Sequence, residues 1–314
     1  MIDYFLGMFF FRSIIHDCFD QQGSFILSEK ICAVIVTFNN ADMLANLLDD
    51  LRIQSRLPDE IIVIDNASQD HTDKMIRSNY PDVTYIKLRE NMGSAGGYHE
   101  GIKLAAKTSD FIYTLDDDVR MNPDTLSEII KSFFLLEKSL PSRIGAVRSV
   151  GERHSEVVPT KLDICPWRGT LFKTSIVREM GLPSLDYFIY GEDMEYSLQL
   201  AKRGYCFYWI PASICQERHR DQDGKTHAEI FGKRNVRYQD PFRLYYAFRN
   251  EIFIYIQYNY ILKLIHVFMY AIKVTLMILK EEGWNGRKAI MAIAEGMIDG
   301  VMGRLGKNIK YAPA

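Results

Sequence analysis

The first part of the chain alternates short apolar runs with segments of helical periodicity. Four runs rich in β-branched and aromatic residues predict buried strands, at residues 31–36, 61–64, 83–88 and 111–115. Apolar residues at helical spacing predict one helix after the first run and another over 98–107. Strands that alternate with helices in this way predict an α/β fold, with a mostly parallel central sheet flanked by helices.

Polar or glycine-rich segments follow each of these runs. Thr37, Phe38 and Asn39 follow the first, Asp65 and Asn66 the second, a glycine-rich segment the third, and three aspartates the fourth. The carboxyl ends of parallel strands meet at one edge of a sheet, where open α/β sheets bind their ligands. The sequence therefore predicts a ligand cleft at this edge.

The three aspartates, Asp116, Asp117 and Asp118, concentrate negative charge at the end of a predicted strand. Like charges repel one another unless a cation joins them, and Mg²⁺ and Mn²⁺ prefer oxygen ligands that they share with substrate phosphates. Because side chains alternate along a strand, Asp116 and Asp118 are expected to point the same way, apart from Asp117. The alternative is a solvated acidic turn.

The strict alternation fades after about residue 140. Residues 167–172 predict a further strand, Glu192 and Asp193 stand at the predicted start of a helix, and the polar, basic residues 216–237 are typical of a mobile loop. We expect an N-terminal extension, a catalytic domain and a C-terminal helical region, at residues 1–30, 31–240 and 241–314.

Composition narrows the function. The 314 residues include 38 basic and 40 acidic side chains, so nothing in the net charge of −2 suggests a nucleic-acid partner. Five cysteines without a C-x-x-C pair predict reduced thiols, a cytoplasmic location and no zinc site. The apolar residues 1–11 lack a basic start and a small-residue cleavage site, so we expect an interfacial helix or a dimer contact rather than a signal peptide.

A nearly continuous apolar stretch covers residues 251–280. Lys263, His266, Lys273 and Lys280 fall within one arc of a helical projection. A narrow basic stripe on a broad apolar helix predicts a segment that lies in a membrane interface. A buried helix, packed on the catalytic domain or on a second copy of the chain, is the main alternative, and a spanning helix comes third.

Seven blocks occur in order: Val36-Thr37-Phe38-Asn39, Asp65-Asn66-Ala67-Ser68 with Asp70, Asn91 through Gly97, Leu115-Asp116-Asp117-Asp118, Trp167-x-Gly169-Thr170, Gly191-Glu192-Asp193-x-Glu195-Tyr196 and Tyr245-Tyr246-x-x-Arg249-Asn250. With these blocks the chain resembles the family 2 inverting glycosyltransferases of GT-A fold over about residues 31–306. The resemblance is greatest to the bacterial branch of galactofuranosyl- and rhamnosyltransferases.

The resemblance implies a metal-dependent, inverting transfer of galactofuranose from UDP-galactofuranose to a hydroxyl of a lipid-linked or growing cell-surface polysaccharide. A rhamnosyltransferase that uses a dTDP-sugar is the alternative, and a nucleotidyltransferase or a non-catalytic glycan-binding protein is more distant. The implied location is the inner face of the cell membrane, with peripheral membrane contact. A homo-oligomer is left open.

The resemblance also implies residue roles. Asp116, Asp118 and His219 would hold Mn²⁺ or Mg²⁺, with His227 as a substitute for His219. Asp193 would be the catalytic base, because inversion needs one base aimed at the acceptor hydroxyl. The nucleotide-sugar donor would contact Thr37, Phe38, Asn39, Asp65, Asn66, Asn91, Gly96, Gly97 and Asp117. The acceptor would contact Trp167, Gly169, Thr170 and Glu192.

Several of these roles have a structural alternative. The glycine-rich segment could be a flexible turn between strand and helix, and His219 could be an ordinary surface residue. Asp65 could form a turn with Asn66. Trp167 could fill the core instead of stacking on a sugar ring. Glu192 and Asp193 could serve as favourable partners of a helix dipole.

Overall fold

The computed structural model describes residues 28–152, 158–217, 228–230, 233–236 and 240–311. His219 and His227 lie outside these ranges. The chain divides into two compact units. Unit 1 contains the described residues of Met1–Asn91, Glu100–Leu182 and Ser197–Arg218. Unit 2 contains Met92–His99, Pro183–Tyr196 and the described residues of His219–Ala314.

Unit 1 is built on a mixed sheet. Its strands are β1 (Ile31–Thr37), β2 (Glu60–Asp65), β3 (Thr84–Lys87), β4 (Phe111–Asp116), β5 (Val119–Met121), β6 (Arg143–Val150), β7 (Thr160–Leu162), β8 (Thr170–Lys173) and β9 (Tyr205–Glu217). The order is β3-β2-β1-β4-β8-β6-β9-β5, with β7 also paired to β9. The strands from β3 to β4 are parallel, as the sequence predicts, whereas β8 runs antiparallel to both of its neighbours.

Helices cover this sheet. They are α1 (Ala41–Arg52), α2 (Thr72–Asn79), α4 (Thr125–Ser139) and α5 (Thr174–Met180), while α3 (Gly93–Ala105) and α6 (Glu192–Lys202) contain residues of both units. Residues Ile31 through Ile35 of β1 are fully buried, as expected for a strand covered on both faces. At Gly101 of α3 an added Cβ would lie 2.4 Å from a Val34 methyl, so the glycine permits close helix–sheet packing.

Unit 2 contains three long helices and a hairpin. The helices are α7 (Pro241–Gln257), α8 (Ile261–Glu282) and α9 (Arg287–Val301), and the hairpin pairs β10 (Ala228–Ile230) with β11 (Lys233–Val236). The Asp240 side chain caps α7 by accepting from the Phe242 N–H, and Pro241 takes the first helical position. A Cβ at Gly296 or Gly300 of α9 would lie 2.5 Å from a backbone oxygen of α7, so these glycines allow the two helices to pack closely.

The four predicted strands of the first part are confirmed as β1 to β4, and a helix begins at Glu192 as predicted. The loop predicted over 216–237 is wrong where this segment is described, because β9 continues to Glu217 and β10 and β11 are strands. Polar residues form strands there because they pair with another strand: Glu217 pairs with Val119 of β5, and Ala228 with Val236. The apolar stretch over 251–280 is divided between α7 and α8.

Candidate functional site

The carboxyl ends of the parallel strands meet as the sequence predicts. Thr37 of β1 is the register partner of Asp65 of β2, and Val36 is the partner of Asp116 of β4. From β1 the chain proceeds outward through β2 and β3, then returns to β4 on the opposite side of β1. Such a reversal of strand order opens a crevice at the carboxyl edge. The polar ends of β1 and β4 lie at this crevice.

Asp117 joins the two strand ends. Its carboxylate accepts a hydrogen bond of 2.6 Å from the Thr37 hydroxyl and one of 2.8 Å from the Asn40 side-chain amide. Burial raises the pKa of Asp117 to about 6, and the neighbouring Asp116 charge adds to this, whereas the bonds from Thr37 and Asn40 act in the opposite direction. Asp117 is therefore held by protein groups on the β1 side of the crevice.

Asp118 carries the larger shift. Burial raises its pKa to about 7, and the charges of Asp116, Asp117 and Glu217 contribute in the same direction. The Arg168 charge opposes them. The acidic cluster, Asp116 to Asp118, therefore has more negative charge than its protein surroundings balance.

The expected geometry of Asp116 and Asp118 needs correction. Strand β4 ends at Asp116, and Asp117 and Asp118 form a turn that leads into β5. Strand alternation therefore does not place Asp116 and Asp118 on one face. The strand ends there because pairing with β1 stops at Asp116, and β5 pairs with β9 instead.

The acidic cluster fits a hard divalent cation by its chemistry. Carboxylate oxygens are the ligands that Mg²⁺ and Mn²⁺ prefer. Burial is the main cause of the raised pKa values and the neighbouring carboxylates add to it, and a bound cation would offset both effects. Within the described ranges no group of three or more His, Cys, Asp or Glu side chains is arranged to hold a metal ion. The third predicted ligand, His219, falls outside those ranges.

Arg168 lies beside the acidic cluster, although the sequence did not predict a role for it. Its guanidinium pairs with Glu217 at the end of β9, and its charge acts on Asp118. The Arg148 Nε donates a hydrogen bond of 3.1 Å to the Arg168 carbonyl oxygen. A signal was present in the sequence, because three adjacent carboxylates need a cationic neighbour and Arg168 lies inside the block Trp167-x-Gly169-Thr170.

The loops after β1 and β2 hold each other. The Asn39 N–H donates to the Ser68 hydroxyl at 2.8 Å, and the Asn39 side-chain oxygen accepts from the Gln69 N–H at 2.7 Å. The Asn66 N–H donates to the Thr37 carbonyl oxygen at 2.9 Å. Phe38, which lies between Thr37 and Asn39 in the sequence, is half-buried. These bonds set the backbone path of the predicted donor-binding segment.

Asp65 is fully buried, and both of its oxygens are engaged. One accepts from the Ser68 N–H at 2.8 Å, and the other accepts from the Tyr85 hydroxyl at 2.5 Å. This arrangement favours the turn-forming interpretation of Asp65. Its contact with a nucleotide stays a prediction.

The predicted acceptor residues Trp167, Gly169 and Thr170 lie within the fold. Trp167 is 5% exposed and its ring centroid lies 6.1 Å from that of Phe172, which favours the core-filling interpretation. Gly169 has a φ of 68° and donates its N–H to the Thr114 carbonyl at 2.9 Å. Thr170 is buried, and its hydroxyl donates to the Pro166 carbonyl at 2.5 Å.

The glycine-rich segment after Asn91 begins helix α3 earlier than predicted, at Gly93. Gly93 has a φ of 70°, and a Cβ there would lie 1.9 Å from the Phe188 carbonyl oxygen. A Cβ at Gly96 would lie 2.4 Å from the Met92 Cβ, and Gly97 is buried. The close approach that Gly93 and Gly96 permit is therefore to protein atoms. Donor contact by Asn91, Gly96 and Gly97 stays a prediction.

Three carboxylates stand in the first turn of α6. Glu192 is buried and accepts a hydrogen bond of 2.7 Å from the Ser94 hydroxyl. Glu195 is also buried and accepts one of 2.9 Å from the Tyr258 hydroxyl. Asp193 is the most exposed of the three, and one of its oxygens accepts from the Met194 N–H at 2.7 Å. Among these carboxylates Asp193 is therefore best placed to meet a ligand.

Sequence comparison decides the family. The profile described as glycosyl transferase family 2 matches residues 32–172. A galactofuranosyltransferase GlfT1 of Mycolicibacterium smegmatis is 30% identical over 205 residues, which cover 57% of this chain and 68% of that protein. The chain belongs to glycosyl transferase family 2. The predicted family is confirmed, and the protein is a glycosyltransferase.

A second relative and a solved structure extend the comparison. A galactofuranosyltransferase GlfT1 of Mycobacterium tuberculosis is 28% identical over 253 residues, covering 72% of this chain and 82% of that protein. A mannosyltransferase of Pyrobaculum calidifontis, solved with GDP-mannose and Mn²⁺, superposes with a TM-score of 0.53 at 18% identity. That alignment covers 87% of this chain and 75% of that one. It confirms the glycosyltransferase fold predicted from the sequence.

Proposed function

We propose that this family 2 glycosyltransferase transfers galactofuranose from UDP-galactofuranose, with inversion, in a metal-dependent reaction. The observation that carries the metal dependence is the acidic cluster at the β1–β4 crevice, where burial and mutual repulsion raise the pKa of Asp117 to about 6 and of Asp118 to about 7. The donor sugar rests on the similarity to two mycobacterial proteins named galactofuranosyltransferases.

On the donor side, Asp116 and Asp118 would hold Mn²⁺ or Mg²⁺, with His219 as the proposed third ligand. A bound divalent ion would neutralise charge on the diphosphate as the glycosidic bond breaks. Asp117 would stabilise the carboxyl ends of β1 and β4 at this site, because its carboxylate accepts hydrogen bonds from Thr37 and Asn40. Arg168 pairs with Glu217, and its charge offsets part of the negative charge around Asp118.

On the acceptor side, we propose Asp193 as the base. Its carboxylate would take the proton of the acceptor hydroxyl while that oxygen attacks the anomeric carbon opposite the diphosphate. The bond between the sugar and the diphosphate breaks, and UDP leaves with the electron pair. The single displacement inverts the anomeric centre. Glu192 is buried against Ser94, so it supports the turn that carries Asp193.

The acceptor would be a lipid-linked or growing polysaccharide at the cytoplasmic face of a membrane. The support is helix α8, which has two opposite apolar sectors. One sector is buried within the protein and contains Val267, Tyr270, Ala271, Val274 and Ile278. The other is exposed and contains Ile261, Leu262, Ile265, Phe268, Met269, Ile272, Leu276 and Leu279.

The exposed sector of α8 fits an anionic lipid surface better than a second protein. Lys273 and Lys280 border it, and Lys263 and His266 continue along the same flank. Trp284, in the short 3₁₀ turn that follows α8, is 77% exposed, and tryptophan is enriched at membrane interfaces. By length and composition Ile261–Val301 could cross a membrane, but it is divided into α8 and α9, and both contact α7. We therefore propose that α8 lies on the membrane.

The test is a donor panel. The purified protein is incubated with UDP-galactofuranose, UDP-galactopyranose and dTDP-rhamnose, each with Mn²⁺ or with EDTA, and nucleotide release is measured. We expect release to be fastest from UDP-galactofuranose and to stop in EDTA. Preference for dTDP-rhamnose would move the proposal to a rhamnosyltransferase, and turnover that is insensitive to EDTA would remove the metal.

A further inference from the structure

The loop that leads into α6 has an unusual backbone. Phe188, Tyr190 and Gly191 have φ values of 63°, 66° and 93°. Two of these residues are aromatic, and left-handed backbone is costly for bulky residues. Asp193 follows this loop, which we define as Tyr187–Gly191, by two residues. A costly conformation persists only where its surroundings hold it in place.

Two consecutive side chains of α7 hold the 187–191 loop. The side-chain nitrogen of Asn250 lies within hydrogen-bond distance of three carbonyl oxygens of the loop, those of Tyr187 at 3.0 Å, Ile189 at 2.9 Å and Tyr190 at 2.7 Å, and its two hydrogens are shared among them. Arg249 Nη2 also donates to the Tyr187 carbonyl, at 2.8 Å. The loop is therefore bound through its backbone, so its path depends on these two side chains more than on its own side-chain identities.

Arg249 also orients Asn250 and a second chain segment. Its Nε donates to the Asn250 side-chain oxygen at 2.7 Å, which directs the amide hydrogens of Asn250 toward the loop. Its Nη1 donates to the Gly306 carbonyl at 2.6 Å, and the Gly306 N–H donates to the Asp186 carbonyl at 2.6 Å. The loop is thus fixed at its start and along its length by one connected set of bonds.

The burial of Arg249 and Asn250 costs free energy that their hydrogen bonds must offset. Arg249 is fully buried and Asn250 is 1% exposed, and the acceptors of Arg249 in these bonds are neutral oxygens. Burial lowers the pKa of Arg249, so the buried guanidinium is costly even though the Asp299 charge acts on it and the Tyr246 ring centroid lies 4.6 Å away. An apolar side chain would fill this part of α7 at lower cost. The donors are needed because the loop turns three carbonyls toward α7.

From these contacts we infer that Arg249 and Asn250 are positioning residues for transfer, because they fix the loop that aims Asp193. The Gly191 carbonyl accepts from the Glu195 N–H at 2.8 Å, so the loop passes directly into the first turn of α6. The inference rests on the proposed role of Asp193 as the base. We call these bonds from Arg249 and Asn250 to the loop the clamp. Loss of the clamp would leave the acidic cluster of unit 1 unchanged and misdirect the base.

The test compares Asn250→Ala with Phe248→Leu. Phe248 is also a buried residue of α7, but it stacks on Tyr270 and is not part of the clamp. We expect Asn250→Ala to lower kcat at least tenfold, with the Kd of UDP measured with Mn²⁺ changed less than twofold. Phe248→Leu should lower the Tm but leave kcat within twofold. Hydrogen exchange of the 187–191 amides should quicken in Asn250→Ala alone.

Equal kcat values for the two variants, at equal folded fraction, would overturn the inference and leave Asn250 a stabilising residue. If Asn250→Ala does not fold, Arg249→Lys takes its place, because it keeps the charge and loses the fork that orients Asn250. An unchanged kcat in that variant would overturn the inference equally. Full activity of Asp193→Asn would instead overturn the proposed base, and the two failures are therefore distinguishable.

Discussion

The Thr37 hydroxyl donates a 2.6 Å hydrogen bond to the Asp117 carboxylate, and the two residues lie 80 positions apart in the sequence. This bond links the carboxyl ends of β1 and β4 at the point where the strand order reverses. It favours the ionised form of Asp117, whose pKa burial raises to about 6. The bond therefore stabilises the contact between the carboxyl ends of β1 and β4 most when Asp117 is charged.

The variant Thr37→Val tests this bond with little change of shape. Removing a donor to a buried charged group should lower the free energy of unfolding by about 1–3 kcal/mol at pH 8. The loss should be smaller at pH 5, where Asp117 is mostly protonated. Urea unfolding at both pH values measures it, and Thr37→Ser, which keeps the hydroxyl, is the control. An equal loss at both pH values would contradict the role of charge.

The raised pKa values of Asp117 and Asp118 also predict how stability depends on pH. Both groups titrate near pH 4 in an unfolded chain, but burial raises them to about 6 and about 7 in the fold. Between about pH 4 and pH 7 the folded protein therefore binds more protons than the unfolded chain, so this contribution to stability falls as pH rises.

Urea unfolding of the metal-free protein and of Asp118→Asn, from pH 4 to pH 8, checks this dependence. The variant should gain stability relative to the wild type as pH rises through the window. Carboxylates whose pKa is lowered, such as Asp70, act equally in both proteins and cancel in the comparison. A difference that stays constant with pH would show that Asp118 ionises without cost.

The sequence predicted the elements that local pattern determines. The four apolar runs are four strands, and their polar ends meet at one edge as predicted, with Thr37 opposite Asp65. Contacts across long separations could not be read in the same way. Nothing near Asp117 identifies Thr37 as its donor, and nothing near Gly93 indicates that helix α3 begins against the Phe188 carbonyl.

Burial was the other property that the sequence left open. Trp167 and Asp65 each had a functional and a structural interpretation, and both side chains are buried. A tryptophan at the start of a predicted strand can point inward or outward, and only its packing neighbour, here Phe172, decides between the two. The turn at Asp117 and Asp118 depends on the pairing of β5 with β9, which lies far along the chain.

The metal assignment predicts a specific loss of donor binding. In Asp116→Ala, Asp118→Ala and the double variant, calorimetry should find that UDP binding no longer responds to Mn²⁺, because the carboxylate ligands are gone. Far-UV circular dichroism should confirm that these variants keep the fold. Asp124→Ala, an exposed aspartate that follows β5, is the control. Unchanged Mn²⁺-dependent UDP affinity in the double variant would remove the metal from this cluster.

Replacing Asp193 with Asn keeps the shape of the side chain and removes the base. We expect near-total loss of transfer, with the donor Kd changed by less than tenfold, or about 1.4 kcal/mol. Initial rates with a synthetic acceptor and binding of UDP separate the two effects. Glu195→Gln, in the same turn of α6 and bonded to Tyr258, is the matched control. A transfer rate near that of the wild type would make Glu192 the candidate base instead.

The exposed sector of α8 predicts binding to anionic membranes. Each lysine near an anionic surface contributes roughly 1 kcal/mol, so replacing Lys263, Lys273 and Lys280 with Gln should weaken vesicle binding by about two orders of magnitude. Added salt should weaken wild-type binding as well. The Tm should fall little, because all three side chains are exposed and Lys263 alone of the three lies over aromatic rings, those of Tyr255 and Tyr260. Replacing the exposed Lys74, Lys107 and Lys161 of unit 1 is the charge-matched control. Flotation with phosphatidylglycerol vesicles measures binding.

A protein that does not bind vesicles and elutes as a dimer would assign the exposed sector of α8 to contact with a second copy of the chain. Resistance to extraction by alkaline carbonate would assign it to a spanning helix. We expect vesicle binding and release by carbonate, because the opposite sector of α8 is already buried within the protein.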